Sequence, residues 1–284
     1  MIHVATVHWR SARWIDVQLR YLERFLTAPF RVYAFLSKVP GDHSHKYFYC
    51  STEPITRHAT KLNLLGDLIG FAAEDPSDLL VFIDGDAFPV ASLDRLVDER
   101  LERHRLIAVQ RYENNGDLQP HPCFCVTTVG FWKEIGGDWH QGYKWPDERT
   151  GKLITDVGGN LLGTLTRAQI DWYPLRRMNT VDAHPLHFGL YGDDTPLVYH
   201  HGAGFRESPG GRVGMLARGG VVLEDGRLAR ALDRLPSEGR MGRIRRRYHP
   251  VDRLQTTLRK ENSQLSDEIL VEIDRDENFW HRFA

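Results

Sequence analysis

Two carboxylates separated by one glycine follow an apolar stretch near residue 84. The segment DLLVFIDGDAFPV spans residues 78–90 and places Asp84, Gly85 and Asp86 directly after the apolar run 79–83. Such a run predicts a buried strand, and open α/β sheets bind ligands at the carboxyl ends of their strands. Carboxylate oxygens suit Mg²⁺ or Mn²⁺, and the glycine permits a diphosphate to approach the backbone closely. The segment therefore predicts a divalent-cation site, and a solvated turn after a core strand is the alternative.

A histidine pair near residue 200 offers a further ligand for the same cation. The segment LVYHHGAGFR spans residues 197–206. Adjacent residues of a strand point to opposite faces, so only one of His200 and His201 is expected to reach the cation. We favour His201, because Gly202 and Gly204 after it would let diphosphate oxygens approach, and we keep His200 as the alternate ligand.

Basic residues occur at two places that fit an anionic ligand. Arg57 and Lys61 are four residues apart and share one face of a predicted helix, with His58 beside them. Arg206 lies at the start of the glycine-rich segment 202–220, which would close over a diphosphate if it is mobile. A charged solvent face and an ordinary surface loop are the respective alternatives.

The elements that position these residues alternate between strand and helix. Strand composition occurs at 2–9, 30–37, 46–52, 78–84 and 105–112, and helical spacing of apolar residues follows at 15–26, 55–72 and 93–101. This alternation predicts an α/β fold with a mainly parallel sheet covered by helices on both faces. After residue 113 the order is less regular, with predicted strands at 123–132, 171–177 and 196–201 and a helix within 155–169.

Composition narrows the class of protein. The chain has 284 residues, a formal net charge of -1 and 41% hydrophobic residues, as a globular protein has, and this charge does not favour long nucleic acid as a partner. Three cysteines are too few for a disulfide framework, and neither a secretion signal nor an apolar run of about 20 residues is visible. We therefore expect a soluble, cytoplasmic protein with at most peripheral membrane contact. The basic run 243–247 is a solvated helix face or a contact for an anionic lipid headgroup.

Three consecutive segments together resemble the GT-A glycosyltransferases. They are RHATKLNLLGDLIGF at 57–71, DLLVFIDGDAFPV at 78–90 and ASLDRLV at 91–97. In that family a basic helix precedes a strand that ends in Asp-x-Asp, and a second helix follows. The resemblance covers residues 1–112 well and 155–206 more loosely. It implies a GT-A-like, Rossmann-like sheet with a less regular acceptor side and a C-terminal extension.

The resemblance also implies roles for individual residues around a nucleotide-sugar donor. Asp84 would contact the ribose or the metal, with Gly85 beside the diphosphate, and Asp86 would bind the metal directly. The other implied donor contacts are Arg57 and Lys61 on the basic helix and Thr6, Val7 and His8 at the end of the first strand.

An acidic residue before a helix of the second half is the implied catalytic group. Asp156 in TDVGGN would be the general base if the reaction inverts the anomeric carbon, or would position the sugar if it retains the configuration. A helix N-cap is the alternative for Asp156.

The resulting expectation is a metal-dependent glycosyltransferase that uses Mn²⁺ or Mg²⁺. It would transfer sugar from a UDP- or GDP-linked donor to a carbohydrate, lipid-linked or small-molecule hydroxyl acceptor. Residues 1–112 would bind the donor, residues 113–206 would form the acceptor half of the same domain, and residues 207–284 would be a glycine-rich loop and extension.

Two other functions stay open from the sequence. IDGDAF also resembles the motif of haloacid-dehalogenase-like phosphatases, with Asp84 as nucleophile, Asp86 as acid and GDD at 192–194 as a late acidic motif. Those enzymes normally begin their fold with this strand, whereas here at least three predicted strands come first. A non-catalytic nucleotide-sugar or carbohydrate-binding protein is the second alternative.

Overall fold

The chain divides into two compact units. The computed structural model describes residues 1–114, 116–148, 151–202, 232, 234–236 and 239–284. The first unit comprises residues 1–180, 189–200 and 284, and the second comprises 181–188 and 201–283. The predicted cation ligands Asp84 and Asp86 lie in the first unit, whereas Arg206 lies outside the described residues.

A large sheet forms the first unit. Within the described residues it contains ten strands in the order β3-β2-β1-β4-β7-β6-β10-β11-β12-β5, and β8 and β9 form a separate pair. The strands are β1 Ile2–Trp9, β2 Phe30–Ser37, β3 Tyr49–Ser51, β4 Leu79–Asp84, β5 Ala87–Pro89, β6 Leu106–Val109, β7 His121–Thr128, β8 Trp145–Pro146, β9 Leu153–Ile154, β10 Tyr173–Arg177, β11 Gly189–Gly192 and β12 Pro196–His200.

Helices connect and cover these strands. In the described part of the first unit they are α1 Ile15–Phe25, a 3₁₀ helix Ser44–Lys46, α2 His58–Ala72, α3 Asp94–Leu96, a π-helical turn Val97–Leu101, α4 Glu102–His104, α5 Val129–Glu134 and α6 Gly159–Ala168. The second unit contains α7 Gly239–Tyr248, α8 Pro250–Arg275 and a 3₁₀ helix Phe279–Phe283. No helix of the described ranges is long and apolar enough to cross a membrane.

The predicted α/β class is confirmed, and the parallel part of the sheet contains the first four strands in chain order. β3, β2, β1 and β4 pair in parallel, and helix α1 forms the crossover between β1 and β2. β7 is antiparallel to both β4 and β6, and β6 is parallel to β10.

One predicted strand ends earlier than its composition indicates. The composition of 123–132 predicts strand throughout, but β7 ends at Thr128 and α5 begins at Val129. The Thr128 hydroxyl accepts a hydrogen bond from the backbone N–H of Phe131 at 3.1 Å. This N-cap satisfies a free donor of the first helical turn, so the expectation of strand over 129–132 is wrong.

Helix α2 is fixed against the sheet by its apolar side chains. Leu62, Leu65 and Ile69 are fully buried in a core cluster that also contains Phe82 of β4. Each such side chain contributes about 1.5–3 kcal/mol by leaving water. This packing holds the first turn of α2, and with it His58, in place beside the end of β4.

Candidate functional site

A buried glutamine holds the turn between β4 and β5. The Gln18 side-chain amide of α1 donates to the carbonyl oxygens of Asp84 at 2.8 Å and Ala87 at 2.7 Å. Its own carbonyl accepts from the Thr6 hydroxyl at 3.0 Å. These bonds fix the backbone on both sides of the two carboxylates.

Gly85 is required in this turn by close contacts. A Cβ atom at residue 85 would lie 2.6 Å from His8 Nδ1 and 2.7 Å from the Val7 carbonyl oxygen, closer than real Cβ atoms approach. His8 is buried, and burial lowers its pKa to about 4 against the opposing charge of Asp86, so its imidazole is neutral near pH 7. Its Nε2 has no hydrogen-bond partner among the residues that the structure describes. A buried polar atom of this kind indicates a place for a ligand group.

Three side chains converge where β4 ends. The ligand atoms of Asp84, Asp86 and His200 all lie within 4.8 Å of one another. His200 Nε2 is 3.3 Å from Asp86 Oδ1 and 3.6 Å from Asp84 Oδ2. Neighbouring ligands around an octahedral ion with bonds of ~2.1 Å are separated by about 3 Å. Two carboxylates and one imidazole therefore fit a divalent cation with little adjustment.

The register between two short strands determines which residue of the histidine pair lies near the aspartates. β12 is antiparallel to β5, and His200 pairs with Ala87, which directly follows the Asp84–Asp86 turn. His201 Nε2 instead lies 2.6 Å from the Ser266 hydroxyl oxygen inside the second unit. The structure thus brings the alternate, His200, and not the favoured His201, near both aspartates, and the choice of cation ligand stays a prediction.

A second histidine contacts Asp84 from helix α2. His58 Nε2 lies 3.0 Å from Asp84 Oδ1, which is the oxygen other than the one nearest His200. Burial would raise the pKa of Asp84, but the charges of His58 and His200 outweigh burial and hold that pKa well below its usual range. Sequence reasoning noted His58 only as a neighbour of the basic face, because the contact depends on how α2 packs.

The two predicted basic residues of α2 have different surroundings. Arg57 is exposed at the N-cap of the helix. Lys61 is 1% exposed, donates to the Ser37 hydroxyl at 3.0 Å and lies with Nζ 4.8 Å from the centre of the Trp9 ring. Burial lowers the pKa of Lys61 to about 8, although the Asp84 charge opposes this effect. A buried cation at the ends of β1 and β2 is well suited to an anionic ligand.

Asp156 is paired with a buried arginine. Arg111 Nη2 lies 3.2 Å from Asp156 Oδ2 and 3.4 Å from Asp117 Oδ2. Burial would lower the pKa of Arg111, but the two carboxylates raise it, so the guanidinium stays charged. Burial together with the Arg111 charge lowers the pKa of His121, the buried first residue of β7. Neither Arg111 nor His121 carries a motif that the sequence alone would single out.

Three further predicted residues are not brought into the cluster. The Thr6 hydroxyl is used by Gln18, the Val7 side chain packs in the core, and the backbone of both residues pairs with β2 on one side and β4 on the other. Asp193 of the late GDD segment lies 3.3 Å from both Arg100 Nε and the Tyr173 hydroxyl. These contacts give Asp193 a structural role and weaken the phosphatase interpretation.

The sequence matches no protein-family profile and no curated protein. Among solved structures, the glycosyltransferase GlyE of Streptococcus pneumoniae TIGR4 is similar over 61% of this chain and 45% of its own, with 11% identity and a TM-score of 0.40. The mannosyltransferase PcManGT of Pyrobaculum calidifontis, in complex with GDP-Man and Mn²⁺, is similar over 61% and 54%, with 14% identity and a TM-score of 0.36. The galactosyltransferase LgtC, in complex with donor and acceptor sugar analogs, is similar over 79% and 98%, with 9% identity and a TM-score of 0.40.

This chain spans less than half the length of GlyE. At these identities and TM-scores the similarity assigns no family, and the residues of the site carry the assignment of function. The site combines a carboxylate–imidazole cluster, a buried lysine and a buried histidine whose Nε2 has no partner within the described ranges, all near the carboxyl ends of β1, β2 and β4. Such a set can bind a cation and an anionic group side by side.

Proposed function

We propose that the protein transfers a glycosyl group from a nucleoside-diphosphate sugar to a hydroxyl acceptor. The observation that carries the proposal is the cluster of Asp84, Asp86 and His200 at the carboxyl end of β4. Ligands of α/β sheets bind at this edge, and a cluster of this composition suits a divalent cation. The donor is UDP- or GDP-linked, and the acceptor is a carbohydrate, a lipid-linked sugar or a small molecule with a free hydroxyl.

The cation proposed for the cluster is Mn²⁺ in preference to Mg²⁺. Carboxylates accept both ions, but an imidazole ligand favours the softer transition metal. When bound, the cation offsets the negative charge of the diphosphate as it leaves the sugar. The rest of the reaction depends on positioning by the protein.

The chain's own side chains then hold the donor in place. Lys61 adds positive charge for the diphosphate, and the free Nε2 of His8 bonds a polar group of the nucleoside. Arg57 and Arg206 are proposed as further diphosphate contacts. Because Asp156 is already paired with Arg111, we propose that the pair binds hydroxyl groups of the donor sugar and that Asp156 positions the sugar rather than removing a proton.

Thermal unfolding with nucleotides tests this proposal without knowledge of the acceptor. UDP, GDP and their sugar conjugates are added with and without Mn²⁺ to the wild type, to Asp86→Asn and to Asp67→Asn, an exposed control on α2. A ligand at a hundredfold excess over its Kd stabilises the native state by about 2.7 kcal/mol. We expect a nucleotide-selective shift that needs Mn²⁺, is lost in Asp86→Asn and is kept in Asp67→Asn.

The alternatives give different results in this experiment and in a separate assay of free sugar released from the donor. Absence of a shift with every nucleotide would rule out the proposal and favour tests with phosphatase substrates. A Mn²⁺-dependent shift without any release of free sugar from the donor would instead indicate the non-catalytic nucleotide-sugar-binding protein.

A further inference from the structure

Positive charge is concentrated in one part of the second unit. Residues 239–260 contain eight arginines and lysines and a single acidic residue, Asp252, in a chain whose net charge is only -1. Helix α7 carries most of this charge and has no acidic residue. A cluster of this density attracts an anionic surface.

Six exposed side chains that the structure describes on α7 form two neighbouring stripes. Three apolar residues at positions i, i+3 and i+7 share one side of the helix. They are exposed to 42%, 37% and 54%, and they are Met241, Ile244 and Tyr248. An arginine directly precedes each of them, and these exposed arginines are Arg240, Arg243 and Arg247. One residue corresponds to about 100° of rotation, so the basic stripe runs alongside the apolar one.

The combination of the two stripes selects the kind of partner. A basic stripe alone would fit any polyanion, including nucleic acid. Exposed apolar side chains gain nothing on a sugar-phosphate backbone, whereas a bilayer offers phosphate headgroups next to an apolar layer. We propose that α7 lies on the surface of an anionic lipid bilayer, with its arginines at the headgroups and its apolar stripe at the headgroup–acyl boundary. This inference does not depend on the proposed function.

Co-sedimentation with lipid vesicles tests the inference on the full chain. Vesicles of phosphatidylcholine alone are compared with vesicles that also contain phosphatidylglycerol. We expect the protein to pellet with the anionic vesicles only, and less so at high salt because ions screen the attraction. Failure to pellet with anionic vesicles at low salt would overturn the proposal.

Variants that remove equal charge distinguish binding by α7 from an effect of the protein's net charge. Replacing Arg240, Arg243 and Arg247 by glutamine removes three headgroup contacts, each of which is worth about fivefold, so the partition coefficient should fall by about a hundredfold. A control replaces three exposed arginines of the first unit by glutamine and should bind as the wild type does; they are Arg20, Arg24 and Arg103. Equal loss in both variants would show that net charge, not α7, is responsible.

A variant of the apolar stripe distinguishes a bilayer from another polyanion. Met241→Ser with Ile244→Ser keeps every arginine, and both positions are exposed, so folding should be preserved and is checked by circular dichroism. We expect this variant to lose most vesicle binding but to elute from heparin as the wild type does. Unchanged vesicle binding would show a purely electrostatic contact and overturn the proposed burial of the stripe.

Discussion

Replacing Lys61 by methionine should stabilise the protein while weakening its binding to nucleotides. The pKa of Lys61 falls from 10.5 to about 8 because the side chain is buried. A shift of this size corresponds to about 3 kcal/mol of free energy that the charged lysine costs the native state, at 1.36 kcal/mol per unit. Methionine fills a similar volume without the charge but loses the hydrogen bond to Ser37, worth about 1 kcal/mol. The net gain at pH 7 is therefore about 2 kcal/mol.

The stability difference between Lys61→Met and wild type should depend on pH, because it depends on whether Lys61 is charged. The native pKa of Lys61 lies below its unfolded value, so the cost is fully present below pH 8 and declines as pH rises toward 10.5. The advantage of Lys61→Met should consequently shrink over this range and reverse above it, where only the lost hydrogen bond to Ser37, worth about 1 kcal/mol, remains. A loss of nucleotide-dependent stabilisation should accompany the gain, because the charge proposed for the diphosphate is gone.

Urea unfolding of wild type and Lys61→Met at neutral and alkaline pH measures both effects. Lys38→Met is the matched control, since the exposed Lys38 lies over the same Trp9 ring at 5.7 Å and pays no burial cost. We expect no stabilisation in the control. A Lys61→Met protein that is less stable than wild type at pH 7, or whose difference from wild type does not change with pH, would refute the reasoning.

Three further substitutions test the cation cluster and its supports. His200→Ala should weaken Mn²⁺ binding at least tenfold, because ~10–100-fold effects are usual even for groups that only support a ligand, whereas His201→Ala should leave it unchanged. Equal losses of affinity in the two variants, measured by paramagnetic resonance titration, would contradict the assignment. His58→Ala should lower Mn²⁺ affinity by about tenfold and His58→Gln by less, because a glutamine can still bond Asp84; calorimetric titration that finds no change would remove His58 from the site. Gly85→Ala should destabilise the fold by about 1–3 kcal/mol in urea unfolding, and full stability would disprove the crowding at that turn.

The strands and the place of the site follow from local patterns. The predicted strands at 2–9 and 30–37 match β1 and β2, because continuous apolar, β-branched runs have few other solutions. The predicted strand 78–84 begins one residue before β4 and ends with it. The structure brings the two carboxylates at its carboxyl end close together. Position at a strand end is a local property, so it can be inferred from a single sequence.

The choice of partners for these carboxylates depends on long-range register. Whether His200 or His201 faces the cluster is set by the pairing of β12 with β5, and a slip of one residue would exchange them. His58 reaches Asp84 only because the buried face of α2 sets the rotation of that helix. Arg111 is buried and contacts Asp156, 45 residues further along the chain, and its sequence neighbours give no sign of this.

The hydrogen bonds of the Gln18 side chain hold the turn between β4 and β5 before any cation binds. This side chain ties α1 to the carbonyls of Asp84 and Ala87 without any ion, and the backbone N–H of Gly85 donates to Val7 at 3.2 Å. The turn is therefore already rigid in the metal-free protein, and little conformational entropy is left to lose on binding. The amide proton of Gly85 should exchange with solvent deuterium slowly in metal-free protein and no more slowly after Mn²⁺ is added. The turn is therefore a preorganised binding site. The rate of cation uptake should be limited by dehydration of the ion rather than by a rearrangement of the turn.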